Sequence, residues 1–270
     1  EEAIIVGEMS GCSVQISHHK ASGSENWGRI EQSLELIEAA RQRGLDVTAD
    51  QYPYTSGSTR LAAVLQNRAL TDGSGGFGLV QSEDVLIATA PGFPTYEGRS
   101  LASFVNEWDL PAEDAGQKIL DEAGENVYVV IFMMGEGDVR RVMAHPTTMI
   151  GTDGIPAGSK PHPRAWGTYP RILGKYVREE GVISLHDAIH KMSGMPADKF
   201  QLAGRGVVRE GAFADLVVFD PDTVIDTATY EDPKTPPTGM PHVIVNGSVV
   251  VRDGVHTHAR AGRALRRGRE

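Results

Sequence analysis

The clearest apolar pattern near the start of the chain is helical. Ile30, Leu34 and Ile37 fall at i, i+4 and i+7, which predicts a helix over residues 29–43 with one apolar face. Gly44 follows the last turn, where glycine commonly ends a helix. We therefore expect this helix to pack its apolar face against a neighbouring sheet.

Two short strands are predicted on either side of this helix. A β-type run over residues 13–17 precedes it, and a second run over residues 45–52 follows it and ends at Pro53. Strand, loop, helix and strand in this order are typical of a parallel sheet. Polar residues that could carry chemistry stand where each strand ends, which is where active sites lie in (β/α)8 barrels. The pattern predicts an α/β fold.

From about residue 56 this alternation stops. Residues 72–76 are a flexible, glycine-rich turn, and helical patterns cover residues 101–108 and 112–123. The continuous apolar run over residues 127–133 then predicts a buried strand. We interpret this part of the chain as an insertion or lid subdomain.

Beyond this stretch the chain returns to helices and then changes to strands. Ser184 with Asp187 three residues later predicts a helix N-terminus, and Asn246-Gly247 predicts a hairpin turn. Helices are predicted over residues 137–144, 167–180, 184–193 and 196–203, and strands over 147–151, 214–219 and 243–251.

Composition and charge narrow the classes of function. The net charge of −10 gives no electrostatic case for binding nucleic acid or an anionic membrane surface, and we expect neither partner. No window approaches the length of apolar sequence that a membrane span needs. The one cysteine, Cys12, indicates a reducing compartment, and we expect a cytoplasmic protein. Nucleotide-binding, serine-hydrolase and zinc-ribbon motifs are absent from the sequence.

His18, His19 and Lys20 follow the first predicted strand. Because side chains alternate along a strand, we expect His18 and Lys20 to share a face and His19 to point away from it. A neutral histidine can bind zinc, and Lys20 offers positive charge to an anionic substrate group. Two surface histidines at the start of a loop are the alternative interpretation.

Hydroxyl groups follow the second strand. Tyr52 and Tyr54 could orient a carboxylate or a carbonyl group, and Ser58 could add a further donor. A polar turn with buried tyrosines would give the same pattern.

A third group of candidate residues begins at Asp153, which follows the predicted strand over residues 147–151. A carboxylate here can bind a metal and take a proton from a water molecule, and Gly154 is expected to allow a sharp turn. His162, Pro163 and Arg164 follow, and Arg164 could pair with a carboxylate through two hydrogen bonds. An ordinary turn aspartate is the alternative.

Taken together, these segments resemble the N-acyl-D-amino-acid deacylases (D-aminoacylases) of the amidohydrolase superfamily. The fold of that family is a (β/α)8 barrel beside a small β-sandwich, and its chemistry is zinc-assisted hydrolysis of the amide of N-acyl-D-amino acids. The resemblance is carried by residues 14–20, 26–28, 49–59, 149–154, 162–168, 214–220 and 245–247.

The resemblance implies a role for each candidate residue. His18 would be a zinc ligand, and Asp153 would bind zinc and also carry the proton from the attacking water to the leaving amine. The substrate would be a small N-acylated amino acid, with one or two zinc ions as cofactor. Lys20, Tyr52, Ser58 and Arg164 would hold the α-carboxylate and the carbonyl of the substrate.

The resemblance also implies a division of the chain. Its parts would be barrel strands and helices, an insertion, the end of the barrel, and a β-sandwich segment with the tail, over residues 1–57, 58–137, 138–204 and 205–270.

The family's remaining metal ligands would lie before residue 1. Ile4, Ile5 and Met9 predict a helix over residues 1–9 that has no capping residue, so we expect a fragment that is inactive by itself. One imidazole and one carboxylate are fewer than the three protein ligands of a typical catalytic zinc site. The oligomeric state is left open.

Two alternatives stay open at this point. One is another amidohydrolase that acts on cyclic amides, like a hydantoinase or a dihydroorotase. The other is a non-catalytic binding protein that keeps the fold.

Overall fold

The structure is a computed structural model that describes residues 1–267. The strands are β1 (Val14–Ile16), β2 (Val47–Gln51), β3 (Ser56–Arg60), β4 (Val85–Thr89), β5 (Tyr128–Phe132), β6 (Thr148–Ile150), β7 (Leu216–Val218), β8 (His242–Val245), β9 (Ser248–Arg252) and β10 (Val255–His256). The α-helices are α1 (Glu2–Ser10), α2 (Ile30–Gln42), α3 (Leu61–Gln66), α4 (Leu101–Trp108), α5 (Ala112–Ala123), α6 (Glu136–Ala144), α7 (Arg164–Arg171), α8 (Leu185–Ile189) and α9 (Met195–Lys199). Wider π-helical turns continue α7 over Ile172–Glu179 and α8 over His190–Gly194.

Strands β1, β2 and β6 form a parallel sheet in the order β1-β2-β6. Helix α2 connects β1 to β2 and buries Ile30, Leu34 and Ile37, so the predicted strand, helix and strand are confirmed. Because the three strands are parallel, the loops that follow them leave the sheet at the same edge. These loops carry the candidate site.

A second sheet has its own core. Strands β3, β5 and β4 pair antiparallel, α3 and α4 pack against them, and α5 packs on α3 and α4. The predicted buried strand is confirmed as β5, and both predicted helices of this region are confirmed as α4 and α5. Strand β3 begins at Ser56, so the predicted division after residue 57 falls inside a strand.

The C-terminal part is an antiparallel sheet in the order β10-β9-β8-β7. Asn246 and Gly247 both have positive φ, of 48° and 80°, which is the conformation of the predicted two-residue hairpin turn. The predicted strand over residues 243–251 is therefore two strands. Within residues 1–267, the structure contains no helix long and apolar enough to cross a membrane.

One substitution in the core of the second sheet is expected to lower the stability of the protein strongly. Phe104 is fully buried and packs against Trp108, with the ring centroids 5.0 Å apart and the rings tilted by 50°. We expect Phe104→Ala to lower the free energy of unfolding by about 3–5 kcal/mol, measured by denaturation followed through tryptophan fluorescence.

Phe200→Ala is the matched control, because Phe200 is 46% exposed and should change stability by less than about 1 kcal/mol. Equal effects of the two substitutions would contradict this assignment of the core.

Candidate functional site

One cavity of about 540 Å³ lies where β1 and β2 end, beside β3 and the loop that follows β6. Phe77, Ile131 and Met133 form an apolar wall of the cavity. Its lining also includes all six candidate side chains: His18, Lys20, Tyr52, Ser58, Asp153 and Arg164. The structure therefore brings together residues that stand up to 146 positions apart in the sequence (164 − 18).

The chain leaves the sheet immediately after β1. His18 has a left-handed backbone with φ of 43°, so strand alternation, on which the sequence argument relied, does not extend to it. The side chains of His18 and Lys20 nevertheless lie together, although His19 also lines the cavity. Lys20 Nζ lies 2.9 Å from His18 Nδ1, whereas the buried His19 turns to Ser33 on α2, with its Nε2 2.9 Å from Ser33 Oγ.

Asp50 holds this turn in place. Its Oδ1 accepts a hydrogen bond from the backbone N–H of His18 at 2.8 Å, and its Oδ2 accepts one from Gln15 Nε2 at 2.8 Å. The residue pattern alone did not indicate this role. The position of Asp50 near the end of β2, two residues before Tyr52, was the signal that could have identified it.

Burial controls the charge of the side chains after β1. Burial, reinforced by Lys20, lowers the pKa of His19 to about 4, so His19 is neutral at pH 7. Burial also lowers the pKa of Lys20 to about 8, against the opposing effect of Asp153. Lys20 is therefore a cation at neutral pH that loses its charge under mildly alkaline conditions.

Arg164 is a fully buried guanidinium at the start of α7, with 1% of its side chain exposed. Its Nη2 lies 3.0 Å from Asp153 Oδ2 and donates to the carbonyl oxygen of Ser58 at 3.3 Å. Its plane packs over the ring of Tyr52, with 4.4 Å from Cζ to the ring centroid. Burial raises the pKa of Tyr52, which keeps its phenol protonated and able to donate.

Two donors of this guanidinium are buried without a partner. Arg164 Nε and Nη1 make no hydrogen bond with any residue of the described chain. Buried polar groups are almost always paired in native proteins. An unpaired, positively charged donor group that lines a cavity fits an anionic ligand.

The turn after β6 differs from the expectation at Gly154. Asp153 itself has the left-handed backbone, with φ of 46°. At Gly154, a Cβ atom would come within 2.8 Å of Ala165 Cα on α7. The expectation that Gly154 provides the sharp turn is therefore wrong, and the glycine instead allows α7 to approach the turn that carries Asp153.

The candidate site contains the types of side chain that bind divalent metals. His18 offers an imidazole nitrogen and Asp153 a carboxylate, which are typical zinc ligands. Among residues 1–267, the side chains of His, Cys, Asp and Glu form no group of three that could hold a metal ion. A complete site would need at least one further ligand.

Comparison with known proteins identifies relatives of this chain. The model of the amidohydrolase family matches residues 112–251. A D-aminoacylase of Alcaligenes xylosoxydans xylosoxydans is 43% identical over 267 residues, which cover 99% of this chain and 51% of that protein. The chain thus spans about half the length of the curated relatives it matches.

Two crystal structures are similar to this fold. The structure of a D-aminoacylase has a TM-score of 0.87 and 41% sequence identity, over 98% of this chain and 52% of the other. An N-acyl-D-glutamate deacylase from Bordetella bronchiseptica, in complex with zinc and a phosphonate inhibitor, has a TM-score of 0.83 and 37% identity, over 92% and 49%.

Because Gly154 lies so close to Ala165 on α7, adding a methyl group at Gly154 is expected to lower the stability of the protein. We expect Gly154→Ala to push α7 away from the turn and lower stability by about 1–3 kcal/mol, measured as a fall in melting temperature. In the matched control Gly137→Ala, the Cβ in α6 would meet nothing within 4 Å, so stability should be unchanged or higher. A normal melting temperature for Gly154→Ala would contradict the close approach.

Proposed function

The chain belongs to the amidohydrolase family, and from this premise we propose that it takes part in the metal-dependent hydrolysis of N-acyl-D-amino acids to D-amino acids and carboxylates. One observation carries the proposal. A single cavity holds an imidazole, a carboxylate and a buried guanidinium with two unpaired donors. The relatives named D-aminoacylase and N-acyl-D-glutamate deacylase support the choice of substrate.

The proposal extends to the architecture. We propose that β1, β2 and β6 belong to a (β/α)8 barrel, that the segment from β3 to β5 is an insertion, and that β7–β10 belong to a β-sandwich. The parallel pairing of the first set and the antiparallel pairing of the last support it. The lone, exposed Cys12 supports a reducing, cytoplasmic compartment.

The proposed role of Arg164 is to bind the α-carboxylate of the substrate. Its guanidinium lines the cavity and supplies positive charge to the carboxylate, while Nη2 stays on Asp153. Lys20 adds positive charge beside the same cavity, and the protonated phenol of Tyr52 and the hydroxyl of Ser58 add donors. An anion is thereby bound despite the negative charge of the whole chain.

The proposed role of Asp153 is proton transfer. Its ion pair with Arg164 fixes the carboxylate within the cavity, from where it takes a proton from the attacking water and passes it to the leaving amine. A zinc ion bound at His18 and Asp153, with further ligands, would supply Lewis acidity towards the acyl carbonyl and the water.

The first prediction from this proposal concerns the reaction and its base. In the full-length protein, we expect zinc-dependent hydrolysis of N-acetyl-D-amino acids and little hydrolysis of the L-enantiomers. Asp153→Asn should lower kcat at least about 100-fold, because general base catalysis contributes at least that much. The 270-residue chain assayed by itself should show no turnover, since it offers two metal ligands.

Asp253→Asn is the matched control. Asp253 also has a left-handed backbone, with φ of 51°, but its side chain is 81% exposed in the turn before β10. Asparagine tolerates this conformation at both positions, so only the Asp153 variant should lose activity. Absence of turnover of either enantiomer would overturn the proposed reaction.

The lowered pKa of Lys20 predicts an alkaline limb in the pH profile. As the pH rises through about 8, Lys20 loses its positive charge, so kcat/KM for an anionic substrate should fall roughly tenfold by about pH 9. Lys20→Arg should move this limb upwards, because arginine stays protonated. The control Lys118→Arg, on α5, should leave the limb in place, and an unmoved limb in Lys20→Arg would exclude Lys20 as its origin.

A further inference from the structure

His162 is a buried histidine that the proposed mechanism does not use. It is 1% exposed, and its ring is surrounded by the edges of three tyrosine rings. The centroid distances are 5.1 Å to Tyr54, 5.5 Å to Tyr230 and 6.3 Å to Tyr52. A site this enclosed favours the neutral imidazole.

The hydrogen bonds of His162 define which nitrogen carries the proton. The backbone N–H of Arg164 donates to Nδ1 at 3.0 Å, so Nδ1 must be the acceptor. Nε2 lies 2.8 Å from Ser56 Oγ and 3.0 Å from the carbonyl oxygen of Ser56, to which it therefore donates. Burial and the charge of Arg164 lower the pKa of His162 well below its usual value, which keeps this tautomer neutral.

These two bonds join the parts of the fold that hold the guanidinium. One fixes the main chain of Arg164 at the first turn of α7, and the other fixes the first residue of β3. Two residues further along β3, the carbonyl of Ser58 accepts from Arg164 Nη2. His162 thus sets the spacing between the backbone of Arg164 and the carbonyl that orients its side chain.

Tyr230 closes the arrangement from the C-terminal part of the chain. Its hydroxyl lies 2.5 Å from Ser56 Oγ, and its ring packs on Phe132 of β5 at 4.8 Å between centroids. Ser56 therefore accepts from His162 while it bonds to Tyr230. The ring of His162 can neither rotate nor flip without breaking a bond to a buried partner.

We propose that His162, supported by Ser56 and Tyr230, is a positioning residue that holds Arg164 in the geometry that binds the α-carboxylate of the substrate. This inference rests on the proposed function and adds to it a residue that touches neither the substrate nor the reacting atoms. A histidine that only fills the core would affect every substrate equally. A positioning histidine affects only substrates that carry the carboxylate.

The test compares two substrates in the full-length protein. One is an N-acyl-D-amino acid, and the other is its α-carboxamide, which has no carboxylate for Arg164. His162→Phe keeps the aromatic packing but removes both hydrogen bonds. We expect KM for the acid to rise at least tenfold with kcat changed less than threefold, whereas kcat/KM for the amide changes less than threefold.

Two further variants separate positioning from general damage. In His162→Asn, the side-chain oxygen can still accept from the backbone N–H two residues on, so KM should return to within about threefold of the wild type. In the double variant His162→Phe/Arg164→Gln, KM for the acid should equal that of Arg164→Gln alone, because His162 acts through Arg164. If His162→Phe does not fold, Ser56→Ala removes the hydroxyl that bonds to His162 and Tyr230, and it should raise KM for the acid selectively.

The outcomes separate this proposal from the proposed function. If the wild type hydrolyses the acid and the variants affect acid and amide equally, the positioning role is overturned and the function stands. If the wild type hydrolyses neither, calorimetric binding of the acid and the amide replaces kinetics, and selective weakening of the acid by the substitution supports positioning. A wild type that neither hydrolyses nor binds the acid overturns both.

Discussion

The burial of one charged group governs how the candidate site is built. Removing a guanidinium from water costs several kcal/mol unless it is paired and hydrogen-bonded. Arg164 meets this requirement in part, through the carboxylate of Asp153, the carbonyl of Ser58 and the face of Tyr52. These partners come from three different stretches of chain, so the charge can be buried only when all three have assembled.

The partial pairing of Arg164 also has a chemical meaning. Its bond to Asp153 places the proposed base beside a positive charge that lines the cavity. In the proposed function, this charge would hold the carboxylate of the substrate near the base. Preorganisation of this kind lowers the entropic cost of reaching the transition state.

Local pattern predicted many of the elements, but it missed β3, α3 and β4 and could not reveal contacts between distant residues. Ile30, Leu34 and Ile37 repeat at helical spacing, and α2 follows from them directly. The sequence likewise places Asp153 just after a predicted strand, and the ends of parallel strands meet at one edge of a sheet. The bond between Ser56 and Tyr230 joins residues 174 positions apart, and no periodicity reports such a pair. The role of Gly154 was misread because its neighbour across space, Ala165, is not visible in the sequence.

The left-handed backbone of Asp153 restricts which acids can occupy this position over evolutionary time. Aspartate and asparagine adopt positive φ several times more readily than most residues, because their short polar side chains bond locally. Glutamate lacks this advantage and would also carry its carboxylate one methylene further along. A lineage that lost Asp153 could restore the acid from asparagine by one conservative exchange, whereas glutamate would require the turn to be rebuilt. The positive φ at this position therefore favours aspartate over glutamate, although both side chains carry a carboxylate.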